Sequence, residues 1–422
     1  MEVSYNLRYQ KANFTNKVLL DKEGEVIVYT KGFRLKGKGA NDKGDLINFS
    51  EIKEFYSRDG KLFFITFAKE KYTLQDAGTL FDQFLIDMYK ARNEFLMDAL
   101  FMKRGKLKAE YECEFERISK FGKPISKGEC RVKLFEKSIV VLPSTQDAFY
   151  IHYDFVSFHE FDEDFEYNLK IVMEDGQNIF LSRFGNDFEF FKEKVNSLLG
   201  GMYEVLVNDV LKVVFPYFHA GTLLKMAYKM KGGKGVHKKD LIKIDPELAN
   251  LVDEFVFDNE DFKEKAQVLL DEVDEYGTYY GIAPDVAVKG GFIKWVMFTI
   301  PSKNIVSFTI LPRWVKEGEG ELEKKFEHDT YFFRIIMEKG NPADKVEDKI
   351  SEIDQSLVIL DFAKDPCYKD KRDLRHSPYQ YAIRKLPFLR ILRKSYVGRV
   401  ASKDVKDWQK QVDGIFKNAA LK

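Results

Sequence analysis

Cysteine is scarce in this sequence and follows no pattern. Cys113, Cys130 and Cys367 are the three present, none belongs to a C-x-x-C, and the number is odd. That argues against a disulfide framework and for a reducing compartment. The six histidines, His152, His159, His219, His237, His328 and His376, are scattered. An excess of either charge is missing too, since 68 Lys plus Arg balance 68 Asp plus Glu. This excludes a uniformly basic nucleic-acid binder, although a balanced total can hide opposite patches. No uncharged apolar run approaches membrane-spanning length, and Met1-Glu2-Val3-Ser4-Tyr5 lacks the basic-then-apolar pattern of a secretory signal. The expectation is a soluble, cytoplasmic protein.

Motifs that carry chemistry are missing as well. The sequence contains no G-x-S-x-G elbow, no H-E-x-x-H, no dinucleotide glycine fingerprint after a strand and no Walker motif. The loop Gly232-Gly233-Lys234-Gly235 lacks the spacing and the Lys-Ser/Thr of a phosphate loop. Asp361-Phe362-Ala363-Lys364 and Lys369-Asp370-Lys371 match carboxylate–lysine nuclease spacing poorly and read as surface charge. His152, Asp154, His159 and Glu160 raise a metal reading, because strand alternation puts His152 and Asp154 on one face. Their spacing fits no known site, so solvated strand residues are expected there. No catalytic residue, metal ligand or cofactor is assigned, and the chain reads as non-enzymatic.

Aromatics are plentiful. Phe alone numbers 38 in 422 residues, enough material for the cores of two to four domains. The pattern centres on a stretch from Ile47 to Met102. Phe49 to Phe55 leads through Arg58-Asp59-Gly60-Lys61 into Leu62 to Phe67, and the Asp-Gly pair between apolar runs signals a hairpin. After Tyr72-Thr73-Leu74 the period changes. Leu80, Phe81, Phe84, Leu85, Met88, Phe95, Leu96 and Leu100 then fall mostly at i, i+3, i+4 spacings on one helical face.

The same order recurs downstream. Tyr153 to Phe158, Tyr167 to Met173, the Asp175-Gly176 turn and Asn178 to Leu181 precede a helix striped by Phe188, Phe191, Val195, Leu198 and Leu199. Landmarks match at roughly a hundred residues' offset, Ile65 with Ile171 and Leu74 with Leu181. Upstream, Glu25 to Tyr29 matches Arg131 to Phe135. A curled antiparallel sheet of about seven strands closed by one C-terminal helix resembles the pleckstrin-homology (PH-like) superfold. The resemblance rests on element order over about the first half of the chain. In lipid-binding members, cations of the first hairpin loop grip inositol phosphates. Lys31, Arg34, Lys36 and Lys38 loosely resemble that arrangement. The matching loop of the second copy, Pro143 to Asp147, has no cation, and the stretch Asp154 to Asp175 is acidic.

The expected fold class is α+β. Residues 1–105 and 106–206 form two tandem PH-like modules, 207–275 a helical connector and 276–363 a small α+β domain that is a degenerate third repeat or an unrelated fold. Residues 364–422 form a basic helical end. The connector's lysines, Lys229, Lys231, Lys234, Lys238 and Lys239, lie around a glycine turn and loosely resemble a helix-turn-helix. From Leu374 to Lys403 no acidic residue occurs. Arg384, Lys385, Arg390, Arg393, Lys394 and Arg399 interleave there with Ile383, Leu386, Leu389, Ile391, Leu392 and Val397, which favours packing of the apolar face. The expected function is a scaffold or adaptor that recognises a protein partner through module surfaces. The alternatives are nucleic-acid phosphates at the basic end and anionic lipid at either basic stretch. Tandem PH-like modules also occur in histone-chaperone subunits, a resemblance of architecture. Nucleic-acid binding predicts retention on heparin that falls steeply with salt and is lost when Arg390, Arg393 and Lys394 become Gln; salt-insensitive elution rejects it.

Overall fold

The computed structural model describes all residues except 1, 40–41, 163–166, 274–276, 285–290, 312–328, 337–345, 361–364, 371, 375–378, 402–403 and 421–422. His328, His376, Asp361, Lys364 and Lys371 fall outside the described residues. The chain divides into two compact units, Met1–Leu198 and Leu199–Lys422.

The first unit contains two curled sheets of identical topology. In the first, β1 (Val3–Ala12), β2 (Val18–Tyr29), β3 (Gly32–Gly37), β4 (Asp45–Asn48), β5 (Ile52–Arg58), β6 (Lys61–Thr66) and β7 (Lys71–Gln75) precede helix α1 (Phe81–Ala99). The second repeats this as β8 (Leu107–Ile118), β9 (Pro124–Phe135), β10 (Ser138–Pro143), β11 (Phe149–His152), β12 (Val156–Asp162), β13 (Asn168–Met173) and β14 (Asn178–Ser182) before α2 (Phe188–Val205). The orders are β4-β3-β2-β1-β7-β6-β5 and β11-β10-β9-β8-β14-β13-β12, antiparallel throughout. In each, the two edge strands are consecutive in sequence and joined by a single 3-10 turn, Phe49–Glu51 or Tyr153–Phe155. A three-residue link spans about 10 Å at most, so each sheet must roll until its edges nearly meet.

The helix fills the mouth that this rolling leaves. Phe84, Leu85, Met88 and Tyr89 of α1 join Phe33, Phe49, Phe55 and Phe64 in one buried cluster, with Tyr5–Phe84 and Phe55–Tyr89 rings edge-on at 5.3 and 5.1 Å. The Tyr5 hydroxyl donates to buried Asp87 at 2.5 Å; burial, then the carboxylate, pushes its pKa up to about 12. In the second sheet, Phe191 stacks on Phe184 at 4.0 Å and meets Tyr111 edge-on.

The repeat is confirmed with one shift of register. Leu62 lies opposite Leu74, as Leu169 lies opposite Leu181. Phe64 opposite Tyr72 therefore corresponds to Ile171 opposite Ile179. Ile65, matched to Ile171 by sequence, is one residue off and points to the other face.

The second unit is built on a third sheet. Its elements are α3 (Lys212–Val214), α4 (Ala220–Lys229), β15 (Val236–His237), α5 (Lys238–Ile244), α6 (Pro246–Val256) and α7 (Glu260–Leu270). Strands β16 (Thr278–Pro284), β17 (Phe292–Ile300), β18 (Ile305–Ile310) and β19 (Thr330–Arg334) follow. Then come α8 (Val346–Ile359), α9 (Asp365–Tyr368), α10 (Tyr379–Lys385), α11 (Pro387–Ser395), β20 (Tyr396–Val400) and α12 (Val405–Ala420). The sheet is a plain meander in sequence order from β15 to β20, so it does not repeat the topology of the first two. Its last strand comes from the basic end, where the sequence pattern predicts helix. Val296, Phe298 and Phe332 pack against α4–α7 and α12, while Trp295, Met297 and Phe308 alternate to the other face. With both faces covered, β17 reads as a nearly continuous apolar run.

Gly281 lies opposite Trp295, and a Cβ there would sit 1.8 Å from the indole ring. Gly281→Ala is expected to destabilise the second unit by about 3 kcal/mol. Gly414→Ala, in α12 with open space around it, is expected to be neutral or stabilising by up to about 1 kcal/mol. Denaturant midpoints of the two variants check the contrast.

Candidate functional site

The polar residues of α1 fix the two sheets of the first unit together. Arg92 is fully buried, lies 4.7 Å over the Phe55 ring, and pairs with Asp147 through Nε at 2.5 Å and Nη2 at 2.8 Å. Asn93 donates to the carbonyls of Pro143 and Gln146 at 2.9 and 3.0 Å and accepts from Ala148 N at 2.7 Å. The β10–β11 loop, read from sequence only as a loop without cations, is therefore held by the preceding module's helix. A planar amide satisfying three loop groups at once positions backbone that would otherwise be free.

Two cavities flank the second sheet. One, of about 530 Å³, lies between α1 and strands β8–β10, with Lys90, Glu94, Glu129 and Arg131 in its walls and Cys113 and Cys130 beside them. The other, of about 1160 Å³, runs over the outward faces of β8, β9, β12, β13 and β14. Five carboxylates, Glu114, Glu116, Glu129, Glu160 and Asp162, line it against Lys127 and Lys170. Phe180 and Phe161, half-buried, supply apolar surface between them.

The first set of sequence-predicted cations does not gather around a loop. The β1–β2 loop spans residues 13–17 and carries one cation, Lys17. Lys31 sits in the next turn, its carbonyl accepting from Phe49 N at 3.0 Å, and Arg34 and Lys36 lie along β3. Lys38 follows that strand and pairs with Glu23 at 2.5 Å. Arg34 and Lys36 share a face because strand side chains alternate with period two.

The second set divides in two. The apolar face of α11 is buried through Leu389 and Leu392, as expected. Arg393 is tied down, donating to the carbonyls of Pro366 and Lys369 at 2.7 and 2.9 Å. Arg399 lies in β20, 3.5 Å from Asp329 and 5.2 Å from the Tyr368 ring. The Lys385 ammonium lies 6.0 Å from the Tyr381 ring, and Arg384 is exposed. Arg390 and Lys394 are exposed one turn apart. Replacing Arg393 would thus disturb the fold, and Arg390 and Lys394 are the clean test of phosphate binding.

His152 and Asp154 are not solvated, contrary to expectation. Both are 3 % exposed, and Nδ1 of His152 lies 2.9 Å from Asp154 Oδ2. Burial pushes the carboxyl's pKa up, but His152, Lys137 and Arg104 outweigh that and hold it below the usual range. The 3-10 turn at Tyr153–Phe155 turns this pair inward, which strand alternation does not foresee. His159 points elsewhere, 3.4 Å from Asn196 Oδ1. Among the described residues, no group of three His, Cys, Asp or Glu could hold a metal ion, and no helix is long and apolar enough to cross a membrane.

The lysine loop also has a partner that sequence reading missed. Gly232 and Gly233 take left-handed backbone, and Gly235 N donates to Asp354 Oδ2 of α8 at 2.9 Å. Asp354 is buried, its other oxygen has no hydrogen bond among the described residues, and burial raises its pKa to about 7.

No protein-family model matches the chain, and none of the curated proteins gives a significant match.

The folded-state pKa of Asp354 lies above its unfolded value, so the folded state holds the extra proton. Its contribution is complete below about pH 4 and is lost as pH rises towards 7. Asp354→Asn keeps an acceptor for Gly235 N and removes the titration. Thermal melts from pH 4 to 8 are expected to show the wild-type Tm falling relative to the variant's as pH rises; parallel curves would refute this assignment.

Proposed function

We propose that the first unit is a non-enzymatic docking platform: two PH-like modules, joined by Arg92 and Asn93, that recognise a protein partner through their outer surfaces. The partner's contacting segment is extended and rich in Lys and Arg, and it lies in the groove of the second module. The observation that carries this reading is the groove itself, about 1160 Å³ with five carboxylates around half-buried aromatic surface. Such a lining attracts cationic side chains and repels phosphate, and the Phe rings provide stacking surface for guanidinium groups and lysine stems. The described groove walls are strand residues already held in a sheet, so binding costs little ordering of them.

A second reading, nucleic-acid binding at the basic end, is supported by exposed Arg390 and Lys394 on a helix whose other face is anchored. It concerns a different unit and leaves the groove reading untouched.

The test of the groove uses fluorescence anisotropy with a labelled Lys/Arg-rich peptide. Affinity in the micromolar range is expected, with strong weakening by salt. Glu129→Lys combined with Glu160→Lys, both at exposed groove positions, is expected to weaken binding at least tenfold. Glu54→Lys, on the first module's β5, is expected to leave it unchanged. Equal weakening by both would reduce the effect to general charge attraction and reject the groove.

A further inference from the structure

Cys113 and Cys130 are far apart in a sequence with no C-x-x-C, yet the fold sets them face to face. The β8–β9 hairpin pairs Cys113 directly with Cys130, and the two thiol sulfurs are 3.5 Å apart. Both side chains are buried and neither forms a disulfide in the structure. A disulfide needs a sulfur–sulfur distance of about 2.05 Å, so the gap to close is roughly 1.5 Å, within reach of small side-chain rotations on a fixed backbone. The third thiol, Cys367, is in α9 of the second unit.

We propose that Cys113 and Cys130 form a reversible redox modification site, closed to a cross-strand disulfide by a peroxide. Three observations converge on it: the opposed register, the sulfur separation and the adjoining cavity of about 530 Å³ that both cysteines line. That cavity is wider than a peroxide molecule and bordered by Lys90, Arg131 and Arg183, so a small polar oxidant has a route to the pair.

The chemistry proceeds in two balanced steps. One thiol loses its proton and its sulfur attacks a peroxide oxygen. A sulfur–oxygen bond forms, the oxygen–oxygen bond breaks, and the departing hydroxide takes up the proton as water. The sulfur is now a sulfenic acid. The second sulfur then attacks it. A sulfur–sulfur bond forms, the sulfur–oxygen bond breaks, and a second water leaves with the second thiol's proton. Two thiols have lost two electrons in total, and one peroxide has become two waters. A dithiol reductant reverses the closure by exchange.

The slow step is the first. The neighbouring thiol and burial both hold the Cys113 proton, so thiolate is rare and the site responds to sustained rather than brief oxidant exposure. The second step is fast because its partner already sits opposite. The bridge would tie β8 to β9 where outward-facing Glu112, Glu114, Glu129 and Arg131 border the two cavities. It would fix the strand register of the proposed docking face, although the site does not depend on that function.

The experiment treats the reduced full-length protein with hydrogen peroxide, quenches with an alkylating reagent under denaturing conditions, and maps peptides by mass spectrometry. The expected product is a monomer in which the Cys113 and Cys130 peptides are linked with loss of two hydrogens, while Cys367 is alkylated. The oxidised protein is expected to melt several degrees higher than the reduced one, and the difference is expected to vanish in Cys130→Ser. A sulfenic or sulfinic acid at either residue without the linked pair, a disulfide between chains or to Cys367, or two fully alkylated thiols would each overturn the proposal.

Discussion

The constraint on which the first unit depends is a short connection. Strands four and five of each module lie at opposite edges of one sheet, yet three residues join them. A flat seven-stranded sheet would separate those edges by nearly 30 Å at the usual strand spacing. The sheet therefore rolls, the first strand becomes its middle, and the rolled sheet leaves an apolar mouth. One helix stripe covers that mouth, and the ring contacts of Phe84, Tyr89 and Phe191 follow from the closure.

Polar contacts from α1 join the two modules. Arg92 reaches Asp147 with its charge out of water, and the geometry is bidentate with an aromatic ring beneath the guanidinium. Breaking such a pair leaves a buried charge, so the contact specifies an arrangement more than it adds stability. In the second unit the same principle is visible with the opposite sign. Asp354 accepts from Gly235 N with one oxygen, and burial outweighs that bond and the nearby Lys234 charge to favour the neutral form.

Much of the architecture was legible in the chain. The Asp59-Gly60 and Asp175-Gly176 turns, the change from strand to helix period, and the recurrence of that order all appear at the expected places. The apolar face of the basic helix packs as its leucines required. Errors arose where one residue decides a face. The Ile65 match slipped by one, because two adjacent apolar residues in β6 give no periodic signal of which points inward. His152 and Asp154 turn inward because a single 3-10 turn interrupts the strand alternation. Of the present candidate sites, the cysteine pair left a trace: Cys113 and Cys130 lie at similar distances either side of the Phe121-Gly122 turn. The acidic stretch was visible too, but of its described carboxylates only Glu160 and Asp162 line the groove; β8 supplies Glu114 and Glu116, and β9 supplies Glu129.

What the sequence determined by itself was local: turn positions, element types, the twofold repeat of element order and the apolar faces, all set by interactions between residues close in the chain. What tertiary structure decided was proximity between distant residues. Curling of the sheet put carboxylates from separate strands around one groove, hairpin register set two thiols 3.5 Å apart, and helix packing buried Arg92 and Asp354. Those outcomes depend on where whole strands and helices come to rest, and no short-range pattern encodes them.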